Sequence, residues 1–306
     1  MNPIAIVLNA ASGDGKAEQA GDRLKELFAA AARPLTVTLA HNGEELRGAI
    51  DSAIAGGVAA LVGGGGDGTI NTVASALVGT GIPLGILPLG TLNHFAKDLG
   101  IPLTLDEAAA VVLAGYCVKV DAGEVNGKFF LNNSSLGLYP RMVRLRAAHP
   151  ARGLKKWIVA FWALIKTLER NPEISVSIEA DSERVVTRTP IVFIGNNPYE
   201  MSGFDAGTRG SVTGGKLAIY VVRSGGKPRL MRLAWRTFTG RALRSGELDL
   251  TLTDAATISL RSSPVSVALD GEVVSLDTPL EYRTRPAALE VLVAQPKPDA
   301  KAPPAA

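Results

Sequence analysis

Cysteine is nearly absent from this chain: Cys117 stands alone. That excludes an internal disulfide framework and any cysteine-rich metal cluster, and it suits a reducing compartment. A lone thiol of this kind is ordinarily a small buried apolar residue. Long hydrophobic runs are also missing. The longest, Trp157 to Ile165, is about half of what a membrane-spanning helix needs, so no bilayer crossing is expected and any membrane contact is peripheral. The chain does not open with a basic stretch followed by an apolar one, because Ile4 to Leu8 is short and runs into polar residues; the expected location is cytoplasmic. Strong net charge is lacking too. A formal +3 is too small to argue for nucleic acid, and no nucleic acid partner is expected. What is present, 46% hydrophobic and 20% charged residues over 306 positions, is the composition of a folded chain with one large core or two ordinary ones.

Up to about residue 120, short β-rich runs alternate with helical patterns: Ile4–Asn9, a helix over about Lys16 to Ala32, Leu35–Leu39, a helix from Glu44, Val58–Val62, a helix over Thr69 to Leu77, Leu84–Leu87 and a helix from about Leu105. This alternation predicts a parallel sheet covered on both faces, with ligands at the carboxyl ends of its strands. After Asp121 the pattern becomes strands separated by turn signals, interrupted by helical segments at about 153–170 and 228–243, and predicts a β-rich, sandwich-like second domain. The fold class is therefore α/β: a three-layer α/β domain over residues 1–122, a β-rich domain over 123–294, and a tail over 295–306, QPKPDAKAPPAA, that has too little apolar surface to fold.

The run LVGGGGDGTIN at 61–71 places five glycines and an aspartate between a strand and a helix, the usual place to hold a phosphate. Gly63, Gly65 and Gly68 fit G-x-G-x-x-G, but a dinucleotide fold wants an acidic residue about 20 positions on, and none occurs between Asp67 and Asp98. The stretch NAASGDGKAE mimics a P-loop yet has Ala10 where that motif needs glycine and Ala17 where it needs Ser or Thr. The third phosphate-binding reading is an anion nest, the alternative being a plain glycine-rich turn whose aspartate caps the helix: in a nest, glycines at positive φ turn successive N–H groups inward, and the helix N-terminus adds partial positive charge. Asp67 beside a phosphate then calls for a bridging divalent cation, so a Mg²⁺–nucleotide is the natural ligand.

GGGDGTIN, together with LPLGTLNHFA at 87–96 and LDGE at 269–272, resembles the diacylglycerol kinase catalytic family, in particular its bacterial soluble lipid kinases, with sphingosine kinases and NAD kinases as more distant relatives. The resemblance implies an ATP-binding first domain, a β-rich domain on the acceptor side whose final strand returns to the first, and ATP and Mg²⁺ as cofactors. It carries the nucleotide site onto Asn9, Ser12, Gly13, Gly65, Gly66, Asp67, Gly68, Thr69, Ile70, Asn71 and Thr91, with Asp67 as the metal's contact through the nucleotide. It carries catalysis onto Asp67, Asp270 and Glu272, the last two in a turn facing the nucleotide across the cleft. One of the pair would take the proton and the other would orient it or help to hold the metal; the longer Glu272 is favoured as the base, but the sequence does not separate the two.

Three departures from the family pattern stand out. His94 occupies a position usually held by aspartate, Thr72 one often held by glutamate, and Thr213 to Ala218 lack the acidic ligands of an accessory metal site, which is expected to be lost. No acidic residue occurs between Glu124 and Glu169, whereas Lys128, Arg141, Arg144, Arg146, Arg152, Lys155, Lys156 and Lys166 do, beside Trp157, Phe161 and Trp162. Such a surface suits a lipid substrate met peripherally at the inner membrane face. The sequence is compatible with a homodimer.

Overall fold

The computed structural model describes residues 2–12, 17–148, 173–199, 209–223 and 248–295, with the backbone alone for 145–148. The chain divides into two compact units, Met1–Val120 with Leu289–Ala306, and Asp121–Ala288.

In the first unit, β1 (Ile4–Asn9), β2 (Leu35–Ala40), β3 (Ala60–Gly65) and β4 (Leu84–Pro88) form a parallel sheet in the order β2-β1-β3-β4. The near-continuous apolar runs of β1, β3 and β4 are buried, as strands covered on both faces must be. Between the strands lie α1 (Ala17–Ala30), α2 (Gly43–Ala55) and α3 (Asp67–Leu77), followed by α4 (His94–Asp98) and α5 (Leu105–Ala114). α1 buries Ala20, Leu24 and Phe28, one stripe at helical spacing. α2 starts where Asn42 accepts hydrogen bonds from the N–H groups of Glu44 and Glu45, a side-chain cap worth about 1 kcal/mol. α1 packs with α5 and α2 with α3, the pairing that right-handed crossovers on two faces of a parallel sheet produce.

β5 (Cys117–Val125) leads into the second unit, and the 13-residue β16 (Leu280–Leu292) leads back, its Val291 lying parallel to Leu84 of β4. Cys117 is half-buried rather than buried, and burial together with the Glu290 carboxylate pushes its thiol up.

The second unit contains β6 (Lys128–Phe130), β7 (Asn133–Gly137), α6 (Leu138–Ala148), β8 (Ile174–Ala180), β9 (Glu183–Thr189), β10 (Ile191–Asn196), β11 (Leu217–Val222), β12 (Leu248–Thr253), β13 (Ala255–Leu260), β14 (Val265–Leu269) and β15 (Glu272–Leu276). β12-β11-β10-β7-β14-β15 form one antiparallel sheet; β8 lies between β9 and β13, which pairs with the first half of β16. Val192, Ile194, Ile219 and Val267 of the first group share a buried cluster with Val176, Ile178, Ile258, Leu280 and Tyr282 of the second, so the two layers make a sandwich.

Several boundaries differ from expectation. β3 reaches Gly65 instead of ending at Val62, and α3 begins at Asp67, so three of the glycines are strand residues. β5, α4 and α6 were not anticipated from the sequence pattern. The helical segments expected at 153–170 and 228–243, the aromatic residues Trp157, Phe161 and Trp162, and the tail from 296 lie outside the described residues.

Candidate functional site

The carboxyl ends of β1, β3 and β4 bring three turns of the first unit together. At the centre is the start of α3. Its N-cap is Gly66, which has no side chain to offer, and the first intrahelical bond runs from Ile70 N–H to the Gly66 carbonyl at 3.1 Å. The N–H groups of Asp67, Gly68 and Thr69 therefore stand at the open positive end of an 11-residue helix.

The glycines make this approach possible in a way the sequence did not reveal. None of Gly63, Gly64, Gly65, Gly66 and Gly68 has positive φ, so the expected nest of left-handed glycines is corrected to a close-packing arrangement. A Cβ on Gly65 would lie 2.5 Å from Thr69 Oγ1, and one on Gly64 would lie 2.2 Å from a Leu8 methyl carbon. Gly90 is the strictest case: a Cβ there would sit 2.4 Å from the Cα of Gly66. The two glycine turns meet backbone to backbone.

Asp67 locks them together. Its Oδ2 accepts from Asn93 N–H at 3.0 Å and its Oδ1 from His94 N–H at 2.8 Å. Asn93, buried and left-handed at φ 51°, accepts from Gly90 N–H and donates to the Pro88 and Gly90 carbonyls. On the β1 side, Asn9 Nδ2 donates to Thr69 Oγ1 at 3.0 Å, while Asn9 Oδ1 accepts from Ala11 N–H and its carbonyl from Ser12 N–H. Asn9, Ser12, Gly65, Gly66, Asp67, Gly68 and Thr69 are thus in the turns at the strand ends, and Thr91 is exposed between Gly90 and Asn93. Asn71 Oδ1 is buried and has no hydrogen-bond partner among the described residues. Ile70 has its side chain in the core and its N–H bonded within the helix. Gly13 lies outside the described residues. Among the described residues no three His, Cys, Asp or Glu side chains converge as metal ligands, so a divalent cation here would rely on the nucleotide's oxygens and Asp67.

The second unit holds LDGE. Leu269 pairs with Glu272, leaving Asp270 (φ 47°) and Gly271 (φ 88°) as a two-residue hairpin loop of the kind whose positive dihedrals favour Asp-Gly. The two carboxylates are separated by environment. Glu272 is exposed. Asp270 turns inward, its Oδ2 accepting from Leu131 N–H at 2.7 Å and its Oδ1 from Asn132 and Asn133 N–H, both at 2.8 Å. Burial pushes its carboxyl up, while those three N–H groups and the charge of Arg209 pull it back. Asp270 thus ties the hairpin to residues 131–133. The structure also brings in Arg209, Asn132 and Asn133, which sequence reasoning missed; a basic residue in a buried position has no local signature.

An uncapped helix start at the strand ends of a parallel sheet, with a β-sandwich as the second unit, is an arrangement whose free N–H groups can receive a phosphate. Comparison with known proteins narrows this. Residues 3–125 match the diacylglycerol kinase catalytic domain, and residues 144–293 match the YegS C-terminal NAD kinase beta sandwich-like domain. Residues 3–125 therefore carry a diacylglycerol kinase catalytic domain, and residues 144–293 a YegS-type C-terminal domain. It is 29% identical over 263 residues to a diacylglycerol kinase of Mycobacterium tuberculosis, covering 83% of this chain and 82% of that one. It is 41% identical over 147 residues to a Pseudomonas aeruginosa protein named probable lipid kinase YegS-like, and this match spans about half of each chain, 47%. A solved diacylglycerol kinase of Bacillus anthracis shares the fold with a TM-score of 0.70 at 20% identity, over 96% of this chain and 97% of that one. Yeast NADH kinase shares it more loosely, with a TM-score of 0.53 at 14% identity, over 96% and 84%. Among the described residues no helix is long and apolar enough to cross a membrane.

Proposed function

We propose that this protein is an ATP-dependent lipid kinase that transfers a γ-phosphoryl group to the hydroxyl of diacylglycerol or a related lipid. The observation that carries the reading is the uncapped start of α3, where Gly66 and Gly90 keep side chains away and Asp67 joins the two turns. Phosphate oxygens can reach the N–H groups there, and Asn9 and Thr69 brace the β1 turn beside them. Bound ATP with its Mg²⁺ supplies the transferable phosphoryl group and the charge neutralisation that such transfer requires. Glu272, exposed at its turn, takes the proton from the acceptor hydroxyl. Asp270 is too fully engaged by N–H donors to share that task.

Labelled ATP, Mg²⁺ and anionic vesicles containing diacylglycerol test the reading. The wild type should yield labelled lipid. Glu272→Gln should cut turnover by a factor on the order of 10² or more with nucleotide affinity nearly intact, since a general base contributes roughly 10²–10⁴-fold. Wild-type turnover in that variant removes Glu272 from the chemistry. Labelling of NAD or another soluble acceptor alone, with no lipid product, replaces the lipid kinase by a kinase of soluble substrates.

A further inference from the structure

The Leu131–Asn132 peptide is held at both ends by charged groups, buried Arg209 and partly buried Asp270. Its N–H, on Asn132, donates to Asp270 Oδ1 at 2.8 Å. Its C=O, on Leu131, accepts from Arg209 Nη1 at 2.6 Å and from Asn196 Nδ2 at 2.8 Å. Because a peptide unit is planar and its N–H and C=O point in opposite directions, a guanidinium at one end and a carboxylate at the other fix the orientation of the whole plane. Each polarises the bond the other makes. The same guanidinium donates through Nη1 to the Asn196 carbonyl at 3.2 Å and through Nη2 to Asn132 Oδ1 at 3.0 Å, and lies 6.0 Å from the centre of the Tyr199 ring. Arg209 is 8% exposed. A buried arginine with three acceptors in a fork geometry is not replaceable by lysine.

On the other side of this peptide is the hairpin turn. Asp270 N–H donates to the Asn133 carbonyl at 2.9 Å, so four hydrogen bonds in all join Asp270 to residues 131–133. Glu272 is two residues further along, on the same turn. We infer that Arg209 is a positioning residue for the Glu272 turn, acting through the Leu131–Asn132 peptide and Asp270. The role rests on the kinase reading for its catalytic consequence, but the mechanical link does not depend on it.

Two measurements on the full-length protein test the inference, with Arg209→Met, Arg209→Lys and Asn132→Leu as variants and Arg223→Met, at an exposed pair with Asp249, as control. In the vesicle assay, kcat should fall tenfold or more in both Arg209 variants and less in Asn132→Leu, while KM for ATP stays within twofold, since the phosphate-binding turns belong to the other unit. Hydrogen exchange of peptides containing Leu131, Asn132 and Asn133 should speed up at least tenfold in the Arg209 variants and stay unchanged in the control. Wild-type kcat in folded Arg209→Lys, or lowered kcat with unchanged exchange at residues 131–133, overturns the inference. Should Arg209→Met fail to fold, Arg209→Lys and Asn132→Leu carry the same comparison. If the wild type phosphorylates nothing, the kinase reading has failed separately, and exchange alone decides the link: unaltered protection in Arg209→Lys refutes it.

Discussion

The residue scale separates carboxylates that look alike in sequence. Asp67, Asp270 and Glu272 all sit beside glycine in motifs of similar character, yet Asp67 and Asp270 have their oxygens turned to backbone N–H groups whereas Glu272 is exposed. Asp67 has two separable tasks under the proposed function: joining the α3 and α4 turns, and meeting the cation that accompanies the nucleotide. Asp67→Asn should weaken metal-free ATP, because its amide presents an N–H₂ to one of two backbone donors, and should weaken Mg²⁺–ATP further. Titration calorimetry with and without Mg²⁺ distinguishes them. The loss common to both conditions measures the joint, the excess with Mg²⁺ measures the cation, and the absence of any excess removes Asp67 from the metal's neighbours.

Elements matter here through where they touch. The glycine runs at 63–66 and at Gly90 let the end of β3 and the turn after β4 approach until Gly66 and Gly90 are in backbone contact. Gly90→Ala tests that contact. Neither obstructing atom is the far end of a flexible side chain: one is the Gly66 Cα, the other the Asn93 amide oxygen, held by Gly90 N–H. The variant should lose about 1–3 kcal/mol of stability through overpacking, read by denaturant unfolding, and ATP affinity should fall with it as the turns separate. A stable Gly90→Ala protein with unchanged affinity would show that the two turns need not touch to form the site. The contact was hidden in the sequence because glycine serves positive φ and close approach equally well, and only the neighbours across the sheet reveal which. The strand and helix periodicities were legible, since they depend on residues within one element; the extension of β3 through Gly65 was not, since Leu8 and Thr69 fill the space those glycines leave.

For the whole molecule, the proposed acceptor requires a surface that meets lipid. α6 carries Arg141 and Arg144, exposed and three residues apart on one helical face, with no acidic residue anywhere along the helix. In the sequence Arg146, Lys155 and Lys156 follow, Lys155 and Lys156 outside the described residues. Each base near an anionic surface contributes about 1 kcal/mol, screened as salt rises, and insertion of Trp157 or Trp162 would add an apolar contribution that salt does not remove. Co-sedimentation with anionic vesicles should therefore decline with ionic strength without vanishing, and an Arg144, Arg146, Lys155, Lys156 to Ser variant should bind less at low salt. Equal binding by variant and wild type moves the docking surface elsewhere. At this scale the division between sequence and fold has a physical basis. The sequence by itself determined the alternation that makes a parallel sheet, the change to a β-sandwich, and the three motifs that mark the family, because each is written in neighbouring residues. The tertiary structure decided that Asp270 faces inward and Glu272 outward, that Gly90 meets Gly66, and that Arg209 grips the peptide held by Asp270. Those outcomes depend on burial and on hydrogen bonds between residues as far apart as the 139 positions separating Leu131 from Asp270, and no local pattern encodes which of two adjacent carboxylates a distant backbone will claim.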